Sequence, residues 1–261
     1  GTDVYHGGAV MEDHASVDPG RYHQGLLDRV LSAGATVVPH CRVEGLDRSP
    51  DGVDVLTGRG RVRARDVIVA TNGYTGTLTP WLRRRVIPIG SYIIATEPLN
   101  PEVMDRLFPT QKVVSDTRKV VYYYRPSPDR TRIVFGGRVT SGETSPLRSG
   151  GMLRADLIGI FPELKDVRIS HSWMGFVAYT FDELSHIGKH DGVHYAMGYC
   201  GSGVGMASYL GTRIGQQVLG LEEGRTALDG FGFQTRPLYA GKPWFLPMAV
   251  AYYRWRDGAA T

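Results

Sequence analysis

The stretch 193–219 constrains the fold more than any other, because its pattern predicts a strand, a glycine-rich turn and a helix in unbroken succession. The strand is 193–197, the turn follows as GYCGSGVG, and apolar residues then recur at helical spacing to about Leu219. The first turn of a helix carries free N–H groups and a partial positive charge, and glycines let a ligand approach them. The pattern is about equally consistent with a ligand site and with a tight turn that only packs helix against strand.

This turn does not match the fingerprint of a dinucleotide-binding βαβ unit. After Gly201 and Gly203, the third glycine position holds Met206. No strand is predicted after the helix to carry the acidic residue that binds a ribose, so Glu222 and Glu223 do not fit that role. The turn suits phosphate or a group on which negative charge develops.

A second candidate for a ligand position lies where an apolar strand ends. The run 66–70 predicts a fully buried strand, and Thr71, Asn72 and Gly73 follow it directly. In an α/β sheet, ligands collect at the carboxyl ends of the strands. On these three residues alone, an ordinary loop is the better explanation.

The remaining chain divides into regions by its apolar pattern. Before residue 79, the pattern predicts a helix from Pro19 to Gly34 and then short strands at 36–38, 43–46, 53–56 and 61–65. An antiparallel sheet and one helix, 151–161, are predicted next, with strands at 86–96, 112–116, 120–125, 132–138 and 167–173. The tail, 226–261, is rich in proline and aromatic residues and is expected to pack as an irregular strap.

Composition excludes several classes of protein. The net charge of +4, from 30 basic and 26 acidic residues, gives no broad footprint for nucleic acid. The two cysteines, Cys41 and Cys200, lie outside any CxxC, which excludes a disulfide scaffold and a zinc ribbon and predicts a cytoplasmic location. No apolar run approaches the roughly 20 residues that span a bilayer, so no membrane association is expected. His186, His190 and His194 are spaced by four, but glycines break any helix there, and no metal site is expected.

Three segments together resemble one family. They are ARDVIVATNGYTG (64–76), SHSWMGFVAYTFDELSHIG (170–188) and HYAMGYCGSGVGMASYLG (194–211). In order and spacing they resemble the D-amino-acid-oxidase-type FAD oxidoreductases, which include sarcosine and glycine oxidases. The stretches GSYIIATEPL, VVYYYRPS and TRPLYAGKPWFLP are similar to the gamma-glutamylputrescine oxidoreductase subgroup.

The resemblance implies an α/β and α+β fold in which a Rossmann-like FAD-binding domain is interleaved with an antiparallel-sheet substrate domain. It assigns 15–78 and 174–225 to the FAD domain, 79–173 to the substrate domain and 226–261 to the C-terminal strap. The family's initial GxGxxG turn has no counterpart in the sequence, so the chain is expected to match the middle and C-terminal part of the family. By itself it is then expected to bind FAD weakly or not at all.

The resemblance also implies the cofactor contacts. Residues matching the family's cofactor-binding positions are Val43, Ala70, Thr71, Asn72, Gly73, Tyr74, Gly175, Gly201, Ser202, Gly203, Val204, Gly205 and Met206. Some members attach flavin to a cysteine at the position of Gly175, so FAD is expected to be noncovalent here. The helix that begins at the turn is expected to stabilise negative charge on the reduced flavin.

The substrate is inferred from departures from the family pattern. Val177 and Gly205 stand where relatives that bind an α-carboxylate carry arginine and lysine. The resemblance therefore implies oxidation of an amine, such as gamma-glutamylputrescine, with hydride transfer to the flavin and reoxidation by O₂ to give H₂O₂. Candidate pocket residues are Tyr92, Tyr123, His171, Trp173 and Val177, Arg138 is a possible further cation, and no catalytic base can be named. The alternatives are a glycine, sarcosine or D-amino-acid oxidase-like enzyme, and an inactive fragment.

Overall fold

The computed structural model describes residues 1–137 and 144–259. The helices in chain order are α1 (Pro19–Ser32), α2 (Pro80–Arg83), α3 (Pro101–Leu107), α4 (Pro146–Ile160), α5 (Gly203–Val218) and α6 (Leu246–Ala259). The strands are β1 (Val43–Ser49), β2 (Gly52–Thr57), β3 (Gly60–Ala64), β4 (Val67–Val69), β5 (Ile87–Thr96), β6 (Val114–Ser115), β7 (Tyr123–Pro126), β8 (Ile133–Gly137), β9 (Ile169–Tyr179), β10 (His186–His190) and β11 (Val193–Met197).

The chain divides into two compact units, each assembled from separate segments. The sheet unit comprises Gly1–Tyr22, Gly90–Gly175 and Trp244–Thr261. The turn unit comprises His23–Ile89 and Phe176–Pro243 and contains the glycine-rich turn. The combination of a mainly antiparallel sheet with helices and a partly parallel sheet agrees with the fold class predicted from the sequence.

The sheet unit is built on a five-stranded sheet in the order β6-β7-β8-β5-β9. The pairs β6–β7, β7–β8 and β5–β8 are antiparallel. One face of the sheet carries Tyr124, Phe135 and Ile94, which are buried with side chains of α3 and α4 such as Met104 and Leu153. Because side chains alternate across a strand, the residues between these core residues lie on the opposite face of the sheet.

Helix α4 begins five residues before its predicted start. The Ser145 hydroxyl accepts a hydrogen bond from the N–H of Arg148 at 3.3 Å, and Pro146 fits the first helical position. Gly150 and Gly151, near the beginning of the helix, obscured this start in the sequence. Gly150 lets the helix approach β9 closely, since a Cβ there would be 3.1 Å from the Ser172 Oγ.

The turn unit contains two small sheets. Strands β1, β2 and β3 form an antiparallel meander, as the sequence predicted, and the second sheet has the order β10-β11-β4, with β11 parallel to β4. Within the described residues β4 pairs along one edge only, and Ile68 at its centre is 43% exposed. Val67 is half-buried and Ala70 is exposed, so the prediction of a fully buried strand at 66–70 was wrong for every residue but Val69.

Three other sequence predictions need correction. Residues 36–38 form no strand, and Val37 and Val38 are exposed. Strand β10 was missed because its sequence, HIGKH, contains a glycine and little apolar alternation. The tail is not irregular throughout, because 246–259 form α6, which tolerates Pro247 in its first turn.

Helix α6 is fixed to the sheet unit by its last turn. The carboxylate of Asp257 accepts the backbone N–H groups of Lys119 at 3.0 Å and Val120 at 2.9 Å. These two residues lie four and three positions before Tyr123, where β7 begins. Helix α6 therefore fixes the residues that lead into β7, an interior strand of the sheet.

Candidate functional site

The loop after β4 and the glycine-rich turn before α5 are joined by one side chain. The amide oxygen of Asn72 accepts a hydrogen bond from the N–H of Gly198 at 3.0 Å, across 126 residues of sequence. Asn72 has a φ of +40°, which asparagine tolerates better than most residues. The structure thus brings together two of the segments that the sequence predicted to bind cofactor.

The same loop is held against β9. The hydroxyl of Tyr74 accepts a hydrogen bond from the N–H of Phe176 at 3.2 Å, and the two rings meet edge to face. Gly73 is buried beneath them, and a Cβ there would be 2.6 Å from the Phe176 carbonyl oxygen. Gly73 is therefore required for close packing, a role that its sequence position alone did not reveal.

The turn before α5 contains three residues with positive φ: Gly198 at +77°, Cys200 at +48° and Gly201 at +98°. Ser202 occupies the N-cap position but its side chain makes no capping hydrogen bond. The N–H groups of Gly203, Val204 and Gly205 have no hydrogen-bond acceptor among the described residues. A Cβ at Gly205 would meet nothing within 4 Å, so the first turn of α5 is open to a ligand.

A cleft of about 660 Å³ opens within the turn unit beside β4. Four of the predicted cofactor-binding residues line it, namely Val43, Ala70, Thr71 and Tyr74. Arg42 and Glu44, which flank Val43, also line it and were missed by the sequence analysis. Asn72, Gly73, Gly175 and the 201–206 turn do not line this cleft.

In the sheet unit, Tyr123 crosses the face opposite the core. Its ring lies over Gly136, its direct partner on β8, so closely that a Cβ at Gly136 could not be accommodated. Its hydroxyl reaches Ser91 on β5 and forms a short hydrogen bond. The sequence analysis missed Ser91 and Gly136. The pair Gly136-Gly137 was an available signal, because glycines within a strand leave room for large rings from the adjacent strand.

Two other predicted pocket residues share this face. Ser172 donates a hydrogen bond to Pro146 at the start of α4, so the alternation of β9 directs His171 and Trp173 to the side away from α4. The Trp173 ring is 43% exposed. Tyr92 points the other way: its ring is fully buried in the core, and its hydroxyl accepts the N–H of Thr144 at 2.8 Å. We call Ser91, Tyr123, Arg125, His171 and Trp173 the open face.

The remaining predicted residues fall elsewhere. Gly175 is the last residue of the sheet unit, and Val177 lies two positions on in the turn unit, both half-buried in β9. Arg138 lies outside the described residues.

Burial sets the protonation state of two groups. Burial raises the pKa of the Tyr123 phenol, against a smaller opposing effect of Ser91. Burial also raises the pKa of the Cys200 thiol, whose Sγ donates to the Gly198 carbonyl at 3.2 Å. Both groups are therefore protonated near neutral pH.

The three histidines spaced by four lie on the hairpin of β10 and β11. His186 is buried, stacks on Phe233 and has its Nε2 3.1 Å from the Asp182 carboxylate, while His190 stacks on Trp81. No group of three or more His, Cys, Asp or Glu in the described part of the chain could hold a metal ion. Across 1–137 and 144–259, no helix has the length and apolar character of a membrane span.

Known proteins match this chain over most of its length. A family model described as "DAO: FAD dependent oxidoreductase" matches residues 1–217. The chain is 29% identical over 265 residues to the probable oxidoreductase OrdL of Haemophilus influenzae and 30% identical over 262 residues to the gamma-glutamylputrescine oxidoreductase of Escherichia coli. Each alignment covers 98% of this chain and 60% of the relative, so the chain spans about 60% of the length of these relatives.

Solved structures share the fold. Glycine oxidase from Geobacillus kaustophilus superimposes with a TM-score of 0.65 at 19% identity, over 82% of this chain and 56% of that one. L-Proline dehydrogenase from P. horikoshii gives a TM-score of 0.64 at 18% identity, over 89% of this chain and 60% of that one. At these identities the likeness concerns the fold alone.

Proposed function

The chain belongs to the FAD-dependent oxidoreductase (DAO) family, and on that premise we propose that the whole protein uses FAD to oxidise an amine. The observation that carries the proposal is the hydrogen bond from Gly198 to Asn72. It unites the loop after β4 with the open first turn of α5. Both segments match cofactor positions in the family pattern, and in this chain they form one structure.

The residues present fit the cofactor on two observations. The cleft beside β4 is lined by backbone and side chains of Val43, Ala70, Thr71 and Tyr74, and three N–H groups at the start of α5 have no acceptor among the described residues. Bound FAD supplies the capacity to accept two electrons, which no side chain has. The N–H groups of α5 would hold the part of the cofactor on which negative charge develops, because a helix N-terminus is partly positive.

Cys200 does not act as an attachment point in this proposal. Its thiol is kept neutral by burial and is bonded to the Gly198 carbonyl, whereas the nucleophile in thiol chemistry is the thiolate. Gly175 has no side chain with which to form a bond. We therefore propose that FAD is held noncovalently.

An amine substrate is supported by the relatives and by this chain's charges. The names of similar proteins refer to gamma-glutamylputrescine, glycine and L-proline, all nitrogen compounds. Val177 and Gly205 offer no charge at the positions where relatives that bind an α-carboxylate carry cations. Because a carboxylate without a partner is costly to desolvate, we propose an amine that lacks a carboxylate on the reacting carbon.

The open face offers a surface on which such an amine is oriented. The neutral phenol of Tyr123 donates or accepts one hydrogen bond, and Ser91 holds it in place. A free alkylamine has a pKa of about 10 and must lose its proton before oxidation. An aromatic surface such as Tyr123 and Trp173 favours the neutral amine, because partial desolvation disfavours the cation.

The test uses the whole protein reconstituted with FAD. Under anaerobic conditions, we expect gamma-glutamylputrescine to bleach the flavin absorbance much faster than glycine, sarcosine or D-alanine do. Peroxide release in air then distinguishes an oxidase from a dehydrogenase that needs another electron acceptor. A flavin that no amine reduces would refute the proposed function.

A further inference from the structure

Arg125 lies on the open face beside the aromatic residues. It follows Tyr123 by two positions on β7, and its partner on β8 is Val134, next to the Gly136 that the Tyr123 ring covers. Residues two apart on a strand share a face and stand about 7 Å apart. The open face therefore has an aromatic end at Tyr123 and Trp173 and a cationic position one step along the strand.

The guanidinium of Arg125 is not neutralised by the protein described. It is half-buried and donates to the carbonyl oxygen of Val17 at 2.8 Å. No carboxylate of the described residues forms an ion pair with it, in contrast to Arg106 with Glu163 and Arg130 with Asp105. Arg132 and Arg154 of the same unit likewise donate to backbone carbonyls without an acidic partner in the described part of the chain. A guanidinium has five N–H donors in a fork that matches a carboxylate.

We propose that Arg125 binds a carboxylate at the far end of the substrate, so that the enzyme selects amines whose anionic group is several atoms from the reacting carbon. This inference rests on the proposed function. The charges also set the direction of binding. Arg125 attracts the carboxylate, which leaves the neutral, reacting nitrogen end at the aromatic side of the open face.

The separation of Tyr123 and Arg125 along β7 favours a substrate whose carboxylate is remote over one whose carboxylate is on the reacting carbon. Arg125 and Tyr123 stand about 7 Å apart along β7, and the Arg125 guanidinium is held at the Val17 carbonyl, so a carboxylate on a reacting carbon at Tyr123 is poorly placed to pair with it. An amine with a remote carboxylate spans this separation. Putrescine, which carries no carboxylate, gains nothing from Arg125.

The experiment compares Arg125→Met with the unchanged protein, both as the whole protein loaded with FAD. Two substrates with the same amine end are used: gamma-glutamylputrescine, which has a remote carboxylate, and putrescine, which has none. We expect the substitution to lower kcat/KM for gamma-glutamylputrescine about tenfold or more, mainly through KM, and to leave putrescine within about twofold, since a charge-assisted bond commonly contributes a factor of that size. Arg125→Lys should restore part of the preference.

Arg148→Met is the matched control, because it removes the same charge from an exposed position on α4, and it should change neither substrate. A binding assay independent of turnover uses glutarate, a dicarboxylate that cannot be oxidised as an amine, and follows its perturbation of the flavin spectrum. Glutarate affinity should fall with Arg125→Met.

Equal losses for both substrates would overturn the inference and assign Arg125 to holding Val17. An unchanged preference with unchanged glutarate binding would also overturn it. If the unchanged protein oxidises neither amine, it is the proposed function that fails, and the glutarate assay still tests Arg125.

Discussion

Asn72 and Gly198 are joined by a hydrogen bond of 3.0 Å that ties the loop after β4 to the turn before α5. Both segments carry groups that we assign to FAD. The bond therefore couples the placement of one set of cofactor contacts to the other.

Asn72→Ala should weaken FAD binding by the whole protein about tenfold. The change leaves the Gly198 N–H without its acceptor, and an unsatisfied donor of this kind costs about 1–3 kcal/mol. It also places alanine at a φ of +40°, which adds backbone strain. Asn72→Asp keeps an acceptor oxygen and tolerates this φ, so it should retain most of the affinity. Titration followed by flavin fluorescence measures both, and equal affinity for Asn72→Ala and the unchanged protein would contradict the role of the bond.

Gly73→Ala should lower the free energy of unfolding by about 1–3 kcal/mol, because the new methyl group would press on the Phe176 carbonyl at 2.6 Å. Gly76→Ala is the matched control three residues later, where a Cβ meets nothing within 4 Å. Urea unfolding of the two variants should differ clearly. If Gly76→Ala is as destabilising as Gly73→Ala, the close packing against Phe176 is not the cause.

Gly136→Ala should destabilise the sheet unit because it displaces the Tyr123 ring. Tyr123→Ala removes the ring and makes room, so adding Gly136→Ala to that variant should cost little further stability. The four proteins form a double-mutant cycle, measured by thermal unfolding. Additive losses would show that the ring and Gly136 do not interact.

Asp156→Asn should gain stability relative to the unchanged protein as pH rises. Burial raises the pKa of Asp156, despite opposing effects from the Tyr122 hydroxyl and the charges of Arg254 and Arg118. A carboxyl whose folded pKa lies above its unfolded value of about 3.9 costs stability as pH rises through that interval. Asparagine does not ionise and escapes this cost.

Urea midpoints of Asp156→Asn between pH 4 and pH 7 test this sign. The difference between variant and unchanged protein should be smallest at pH 4 and should grow in favour of the variant. Glu12→Gln, which removes a carboxylate from an exposed position of the sheet unit, is the control for the loss of one negative charge. A difference that shrinks with rising pH would contradict the prediction.

Acid precipitation of the holoprotein should release all flavin into the supernatant. Gly175 has no side chain to which flavin could attach. The Cys200 thiol is kept neutral by burial and donates a hydrogen bond to the Gly198 carbonyl. Yellow colour in the pellet would reveal a covalent bond, and its loss in Cys200→Ser would locate it.

The sequence predicted the elements that local pattern determines. The helix at Pro19 begins where the Asp18 carboxylate accepts the N–H of Gly20 at 3.0 Å, and the glycine-rich turn leads into α5 as expected. The missed elements depend on contacts. Strand β10 exists because β11 pairs with it, and α6 ends where Asp257 bonds the chain before β7.

The candidate site was predictable in part for the same reason. Family resemblance supplied Asn72 and the turn, but the bond between them joins positions 126 residues apart and leaves no local trace. Tyr123, His171 and Trp173 share a face only once the register of β7, β8, β5 and β9 is known, and Tyr92 lies on the opposite one. Arg125 could not be predicted from the sequence, because it belongs to no motif and an arginine in a strand is most often solvated.

The sheet unit gathers its chain from Gly1–Tyr22, Gly90–Gly175 and Trp244–Thr261. During synthesis its central strands therefore leave the ribosome long before α6, whose Asp257 secures the entry to β7. At about 5–20 residues per second, several seconds separate the two events. Throughout that interval the backbone N–H groups of Lys119 and Val120 lack the carboxylate that accepts them in the folded protein.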